Sequence, residues 1–509
     1  MSRQGAELIR RLDFRFLLPR ATFRRAVLPG SDPALRDRAR SLGLATVVVE
    51  AGDGAPPDLM VLSPRDLSLI SDLPPGGVVC CEVDRRHALR LTPRRLARRL
   101  GNAGLVVRGT WAVRPGLARA ESYVPIDAPA PLPWYLRTQY RALTWRQRLA
   151  VACVRGFVGE DGRRLAPFAP LYVMVAERAG APPNGVAGEG STIVLTDSGD
   201  RATLLWFPPG EGAPTVVTKV PKSDAFVERT RREQLTMVDL HARLDGDIAA
   251  ALPRPLGFSA WGDVAASTES VVPGVSFATR CRAGTRHSAH ALRDLADGAD
   301  WLTQFHAATR NDALDVSAEV ATWFDRYLDR FGDVDSGMVT SARIKVSELP
   351  PIRPVIRHPD FNVWNLVRHG GHIHVIDWEG SAPGPPLCDL VHFAVHWHEC
   401  VTRRRPRMPD EDGLRALLAE RSSTCPADAA VADAFSRYMH RLAIPDDWFE
   451  VLGLTAWVDR ALRRERQLVD AGSPREERDR NNFGVRYVEA LARAQEAASS
   501  QRFQRAVLA

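Results

Sequence analysis

The stretch from Val355 to Glu379, V-I-R-H-P-D-F-N-V-W-N-L-V-R-H-G-G-H-I-H-V-I-D-W-E, limits what this chain can fold into more than any other. Leu366-Val367-Arg368 and Ile373-His374-Val375-Ile376 have strand character, and Gly370-Gly371 between them suits a two-residue hairpin turn. Centring the turn there pairs Arg368 with Ile373, Leu366 with Val375 and Asn365 with Ile376. Asn365 and Asp377 then emerge at one end of the hairpin, with Asp360 on the loop just before it. Two oxygen ligands and a neighbouring carboxylate suit Mg²⁺ and a nucleotide phosphate. The ion is hard, prefers oxygen, and is usually held by one or two side chains plus phosphate oxygens. Asp360 is placed to accept or orient the proton of an attacking hydroxyl.

H-x-D-x-x-x-x-N followed by a hairpin ending in Asp is the catalytic-loop and metal-loop order of protein-kinase-like enzymes. His358 to Asn365 and Ile376 to Glu379 resemble the aminoglycoside phosphotransferase and choline kinase family, in which H-G-D-x-x-x-x-N is followed by I-D-W/F-E. G-P-P-L-C-D-L (Gly384 to Leu390) is similar to that family's G-x-P-x-x-D-L. Each short motif alone could be an ordinary turn; both in order, at a spacing that gathers their ligands, argue for a site. Pro359 stands where the family usually has Gly, and it restricts the conformation of His358. The resemblance covers roughly the last 320 residues, about the size of two lobes. It implies an α+β bilobal protein-kinase-like domain that uses ATP and Mg²⁺.

Upstream, Thr192 to Leu195, Ala202 to Phe207 and Thr215 to Val220 read as three strands of a small lobe, followed by a helix from Ala225 to Leu244. The third strand carries Lys219 in V-T-K-V, and the helix carries Glu233. In kinase-like sites such a lysine, paired with such a glutamate, holds the α- and β-phosphates. Only Lys219, Lys222 and Lys345 are lysines among 68 basic residues, so a lysine here is selective. Lys222 competes for the role, and V-x-K favours Lys219. A phosphate-covering loop is weakly marked, by Gly188 to Thr192 or Ser198 to Asp200. Glu269 to Gly274 resembles the family's hinge strand ending in P-G, which implies adenine contacts from the backbone of Val271 and Val272.

The first 180 residues alternate strand and helix signals: strands at Ala26 to Leu28, Ala45 to Glu50, Asp58 to Leu62, Gly77 to Glu82, Gly104 to Val113 and Pro170 to Glu177, helices at Asp32 to Leu42 and Leu91 to Leu100. That alternation predicts a parallel, Rossmann-like α/β sheet. The order resembles class I S-adenosylmethionine methyltransferases. A methyl-donor turn needs glycines so that backbone can approach the ligand. Here Pro29-Gly30-Ser31-Asp32-Pro33 has one glycine, so a degenerate domain is expected, with Glu50 at the family's ribose position. Ala179 to Gly190 reads as a linker. Three parts follow: 1–180 methyltransferase-like, 181–274 small lobe, 275–509 an α-rich large lobe with helices at Ala289 to Thr309, Val316 to Phe331, Asp410 to Arg421, Pro426 to Leu442, Asp446 to Val469 and Tyr487 to Gln504.

His392, His396 and Cys400 fall on one helix face at ligand-like spacing, but that helix should pack on the core. His369, His372 and His374 read as exposed turn residues. Asp410, Glu411 and Asp412 could face a cationic substrate, though acids also favour a helix start. The arginines behind the net charge of +7 are scattered among acids, which argues against nucleic acid as a partner. No apolar run reaches the ~20 residues of a membrane span. Seven cysteines without C-x-x-C suit reduced thiols in the cytoplasm.

The expected activity is ATP-dependent phosphoryl transfer to the hydroxyl of a small molecule such as an aminoglycoside, amino alcohol or sugar. Asp360 serves as base, Asn365 and Asp377 hold Mg²⁺, Lys219 with Glu233 positions phosphates, and His358 props the loop. Glu379 is a further candidate near the metal. Competing readings are a non-catalytic nucleotide-binding scaffold and a methyltransferase acting through residues 1–180.

Overall fold

The computed structural model describes residues 3–50, 55–140, 145–179, 190–196, 199–281, 288–332, 336–402, 425–470 and 473–493. It divides into two compact units. One comprises Ser2–Gln234 and Arg254–Val271, the other Leu235–Pro253 and Val272–Ala509.

The first unit is built on one sheet. In chain order its strands are β1 (Phe23–Val27), β2 (Ala45–Val49), β3 (Leu59–Leu62), β4 (Val78–Val83), β5 (Leu105–Arg114) and β6 (Ser122–Pro125). There follow β7 (Tyr172–Arg178), β8 (Ser191–Leu195), β9 (Arg201–Phe207), β10 (Val216–Pro221), β11 (Pro255–Trp261) and β12 (Val264–Ser270). The order across the sheet is β11-β12-β10-β9-β8-β6-β5-β7-β4-β3-β1-β2. β4 is buried along its whole length, and its residues alternate between two cores: Val78 and Cys80 in one, Val79, Cys81 and Val83 in the other. Strand side chains point to opposite faces in turn, so a continuous apolar run marks a strand covered on both sides.

Strands β2, β1, β3 and β4 pair in parallel, in line with the strand–helix alternation. The wholly parallel sheet expected from that pattern is not what forms. β7 runs antiparallel to both β4 and β5, and β5–β6 is antiparallel as well. Periodicity locates strands but carries no information on their direction, which long connections decide. The expected break near residue 180 does not separate compact units either. β6 pairs with β8 (Ser122 opposite Leu195, Tyr123 opposite Val194), so strands from both sides of it share the sheet. Residues 180–189 of the expected linker lie outside the described residues, as do residues 410–412 and their helix, and residues 188, 189 and 198 of the two candidate phosphate-covering loops.

A buried ion pair ties the start of the chain to the strand end that follows Lys219. Lys222 Nζ donates to Asp13 Oδ2 at 2.7 Å and to the Thr196 carbonyl at 2.9 Å, and Arg15 donates to the Lys222 carbonyl at 2.8 Å. Neither ionic side chain of the Lys222–Asp13 pair is exposed. Burial pushes the Asp13 carboxyl up and the Lys222 ammonium down, against their mutual attraction.

The second unit is mostly helical. It adds β13 (Val275–Ser276), β14 (Val355–Arg357), β15 (Leu366–His369), β16 (His372–Val375) and β17 (Ala382–Gly384). Helices Ala289–Thr309, Ser317–Phe331, Ser336–Glu348, Cys388–Thr402, Pro426–Arg441 and Phe449–Asp470 enclose one apolar core. The helix Ser336–Glu348 carried no clear apolar spacing and was not anticipated. Trp301 stacks on Phe305 (ring centroids 5.2 Å apart) and on Phe361 (5.9 Å), and Trp378 meets Phe305 edge-on at 5.1 Å. Through Phe361 and Trp378 this aromatic block anchors the Val355–Glu379 segment to the core.

Removing one partner of a buried ion pair strands the other, at a cost of about 3–5 kcal/mol. Asp13→Ala is therefore expected to lower the urea midpoint markedly, while Asp161→Ala, at an exposed pair with Arg163, leaves it in place. Equal midpoints for wild type and Asp13→Ala would contradict this role.

Candidate active site

The hairpin forms in the register that its sequence dictates. Leu366 lies opposite Val375, Arg368 opposite Ile373, and the Ile376 N–H donates to the Asn365 carbonyl at 3.0 Å. Gly370 and Gly371 take φ of +54° and +91°, a left-handed turn that other residues enter at a cost. The ladder ends at Asn365–Ile376, and Asp377 follows with φ +69°, rare for a residue with a side chain and typical of strained functional positions.

Asp360 sits beside Asn365. The Asn365 Nδ2 donates to both the Asp360 carbonyl and its Oδ2, each at 2.9 Å. The amide nitrogen is thereby committed, and Asn365 Oδ1 is left as the ligand-type atom at the hairpin mouth. A neutral oxygen from Asn365 and a carboxylate from Asp377 suit a hard divalent cation such as Mg²⁺. The Asp360 carboxylate is 42% exposed, so it can meet an incoming hydroxyl.

The loop before Asp360 is fastened from below. The His358 N–H donates to Asp389 Oδ2 at 2.6 Å, and His358 Nε2 lies 3.0 Å from the Ile376 carbonyl, one residue before Asp377. The histidine therefore bridges the two motifs. Asp389, the acid of G-P-P-L-C-D-L, also accepts from Arg357 Nε at 3.3 Å and faces His306 Nε2 at 3.4 Å. The Tyr438 hydroxyl accepts from the Leu387 N–H at 3.0 Å, which leaves its proton for His306 Nδ1 at 2.6 Å. Burial raises the Asp389 carboxyl, but His306, Arg357 and the His358 N–H outweigh it and hold the group below the usual carboxylate range. The sequence motif pointed to Asp389 without giving it a task; the structure assigns it the anchoring of the loop.

On the first unit, Lys219 is 5% exposed on β10 and donates to Glu233 Oε1 at 2.5 Å. The pair expected from V-T-K-V and the following helix is present, whereas Lys222 is bonded to Asp13. Two partners were missed. Arg201 holds Glu233 Oε2 at 2.8 Å, and Glu269 on β12 lies 2.9 Å from Lys219 Nζ. Glu269 stands next to the V-V-P-G hinge signal, which was its only trace. Burial raises the Glu269 carboxyl despite the lysine beside it. The Val271 N–H donates to the Thr215 carbonyl at 3.0 Å. Its amide is spent in the sheet, so only its carbonyl remains for a base. Gly274 is required where it stands: a Cβ there would lie 2.4 Å from the Arg368 carbonyl.

Residues 204–426 match the model of the phosphotransferase enzyme family. The match spans 223 of the 509 residues and supports a small-molecule kinase. Among solved structures the chain is similar to a putative aminoglycoside phosphotransferase from Ralstonia eutropha (15% identity, 62% of this chain and 94% of that one, TM-score 0.42). It is also similar to a glucosamine kinase (16% identity, 62% and 84% coverage, TM-score 0.34) and to a Plasmodium vivax ethanolamine kinase (13% identity, 60% and 83% coverage, TM-score 0.36). No curated protein sequence gives a significant match.

Two other groups stand out in the sequence. Glu50, at the ribose position of the methyltransferase-like pattern, faces Arg36 at 3.5 Å, and Arg36 also bonds the Ser31 carbonyl in the turn that a methyl donor would approach. His392 and His396 lie ring to ring, their Nε2 atoms 2.9 Å apart. Among the described residues no group of three or more His, Cys, Asp or Glu is arranged to hold a metal. His369 and His372 are exposed as expected, whereas His374 is half-buried.

Burial, with Arg460 nearby, pushes His392 well below the ordinary value of 6.5 and His396 down to about 4. Both imidazoles are neutral in the folded chain, and the unfolded chain takes up protons first. Stability is therefore expected to fall as pH drops from about 6.5 towards 4. In urea titrations at pH 7, 6 and 5, His396→Gln should show a shallower loss than wild type; an unchanged slope would refute the assignment.

Proposed function

We propose that the protein transfers the γ-phosphate of Mg·ATP to a hydroxyl of a small molecule. The observation that carries this reading is the mouth of the β15–β16 hairpin, where the Asn365–Ile376 rung, Asp377 and the Asn365-bonded Asp360 adjoin. Asp360 orients the acceptor hydroxyl and takes its proton as the phosphoryl group arrives. Asn365 Oδ1 and the Asp377 carboxylate are the ligands for Mg²⁺, with Glu379 nearby. When bound, that ion neutralises the phosphate charge that builds during transfer. Lys219, oriented by Glu233, binds the α- and β-phosphates, and backbone at Val271 and Val272 meets the adenine. The reaction is assigned to the cytoplasm, a reading supported by seven cysteines without C-x-x-C and by a nucleotide co-substrate.

The reading is tested by two variants. Asp360→Asn should bind Mg·ATP in calorimetry as wild type does, while transfer falls by about 10²–10⁴-fold, the range for loss of a general base. Asp377→Ala should lose Mg·ATP turnover altogether. Both are assayed by ADP release over aminoglycosides, amino alcohols, sugars, nucleosides and homoserine. Full activity of Asp360→Asn on the best acceptor would show that another group takes the proton.

A further inference from the structure

The surroundings of Asp360 are cationic, and this bears on which small molecule can approach it. Arg460, on the helix Phe449–Asp470, donates from Nη2 to Asp360 Oδ1 at 3.2 Å and from Nη1 to the Pro359 carbonyl at 3.1 Å. One helical turn on, Arg464 shares an aromatic partner with it: both guanidinium groups lie over the Phe483 ring, at 5.2 Å and 5.8 Å from its centroid. Arg464 bonds only neutral groups, Gln467 Oε1 at 3.3 Å and the Asn481 carbonyl at 3.4 Å. Arg463 lies beside Gly380, just after the D-W-E segment, and pairs with Asp459 at 2.8 Å. Asp459 in turn is already held by Arg357 at 2.9 Å.

Like charges four residues apart on a helix repel each other. Burial lowers the Arg464 guanidinium from its ordinary value, and Arg460 adds to this. Among the described residues several arginines meet an acid, as in Arg36–Glu50, Arg108–Glu177 and Arg330–Glu465. At Arg464 no acid is supplied from the described residues. A guanidinium whose own bonds go to neutral groups can take up a carboxylate or phosphate through paired hydrogen bonds. An ammonium group brought to the same place would meet Arg460 in contact with the base itself.

Resting on the phosphotransferase reading above, we propose that the acceptor is a hydroxylated anion, a hydroxy acid or a phosphorylated polyol, whose acidic group binds Arg464 and Arg460. The hydroxyl is thereby presented to Asp360. The bond that breaks is that between the γ-phosphorus and its bridging oxygen; the bond that forms joins this phosphorus to the acceptor oxygen. The hydroxyl proton passes to Asp360, and ADP leaves with the bond's electron pair.

The test uses the full chain with Mg·ATP and two matched pairs, glycerate against ethanolamine and glucose 6-phosphate against glucosamine. Glycerate reports a carboxylate preference, glucose 6-phosphate a phosphate preference. At least one anion should exceed its cationic counterpart by about tenfold or more in kcat/KM, the scale of one charge-assisted hydrogen bond. Arg464→Gln should raise KM for that anion by about tenfold with kcat within about twofold, and should weaken its calorimetric binding in the absence of nucleotide by the same factor. Arg466→Gln, exposed on the same helix, should leave both unchanged. Preference for ethanolamine or glucosamine, absence of anion binding, or an Arg464→Gln enzyme with unaltered KM would overturn the proposal. Loss of Mg·ATP binding by the wild type would instead remove the phosphotransferase reading beneath it.

Discussion

One buried carboxylate carries the geometry of the catalytic segment. Asp389 accepts the backbone N–H of His358 and the Arg357 guanidinium, and it faces His306, which is braced in turn by Tyr438. A charge taken out of water is tolerated only when its lone pairs are satisfied, and here several donors converge on it. The consequence is positional. His358 is fixed at its backbone by Asp389 and at its ring by the Ile376 carbonyl, so the residue two before Asp360 is tied both to Asp389 and to the residue before Asp377.

This explains how the loop accommodates Pro359. A proline there narrows the conformations open to His358 and removes a backbone donor. The loop does not depend on that donor, because its hold comes from the His358 N–H on one side and from Arg460 on the Pro359 carbonyl on the other. The same arginine touches Asp360, which links loop geometry to the charge beside that carboxylate. On the other unit a comparable economy applies. The two lysines of β10 and its end are separated in role by their neighbours: Lys222 is locked to Asp13, whereas Lys219 lies among Glu233, Glu269 and, through Glu233, Arg201.

Much of the site was legible before the fold because its geometry is local. A two-glycine turn fixes the register of a short hairpin, and register alone brings Asn365 next to Ile376 and Asp377. The Lys219–Glu233 pair followed from a strand–helix motif of similarly short range. What escaped was long-range. Arg460 lies 100 residues from Asp360 and Glu269 comes from a neighbouring strand, and neither has a spacing that announces a partner. The sheet of the first unit shows the same limit. Alternating apolar runs located β1 to β5, but the reversal at β7 and the β6–β8 junction depend on pairings between distant segments, as does the tie between Asp13 and Lys222.

The central claim is that one hairpin end holds the divalent cation while the adjoining aspartate serves the acceptor. It is tested most directly by a crystal structure of the full chain grown with Mn²⁺ and a non-hydrolysable ATP analogue, with the ion located by its anomalous scattering. The account predicts a peak at about 2.0–2.2 Å from Asn365 Oδ1 and an Asp377 carboxylate oxygen, the coordination distance of a small hard cation. Asp360 should remain bonded to Asn365 Nδ2 and stay outside the coordination shell. An ion bound elsewhere, with Asp377 turned away from the nucleotide, would contradict it.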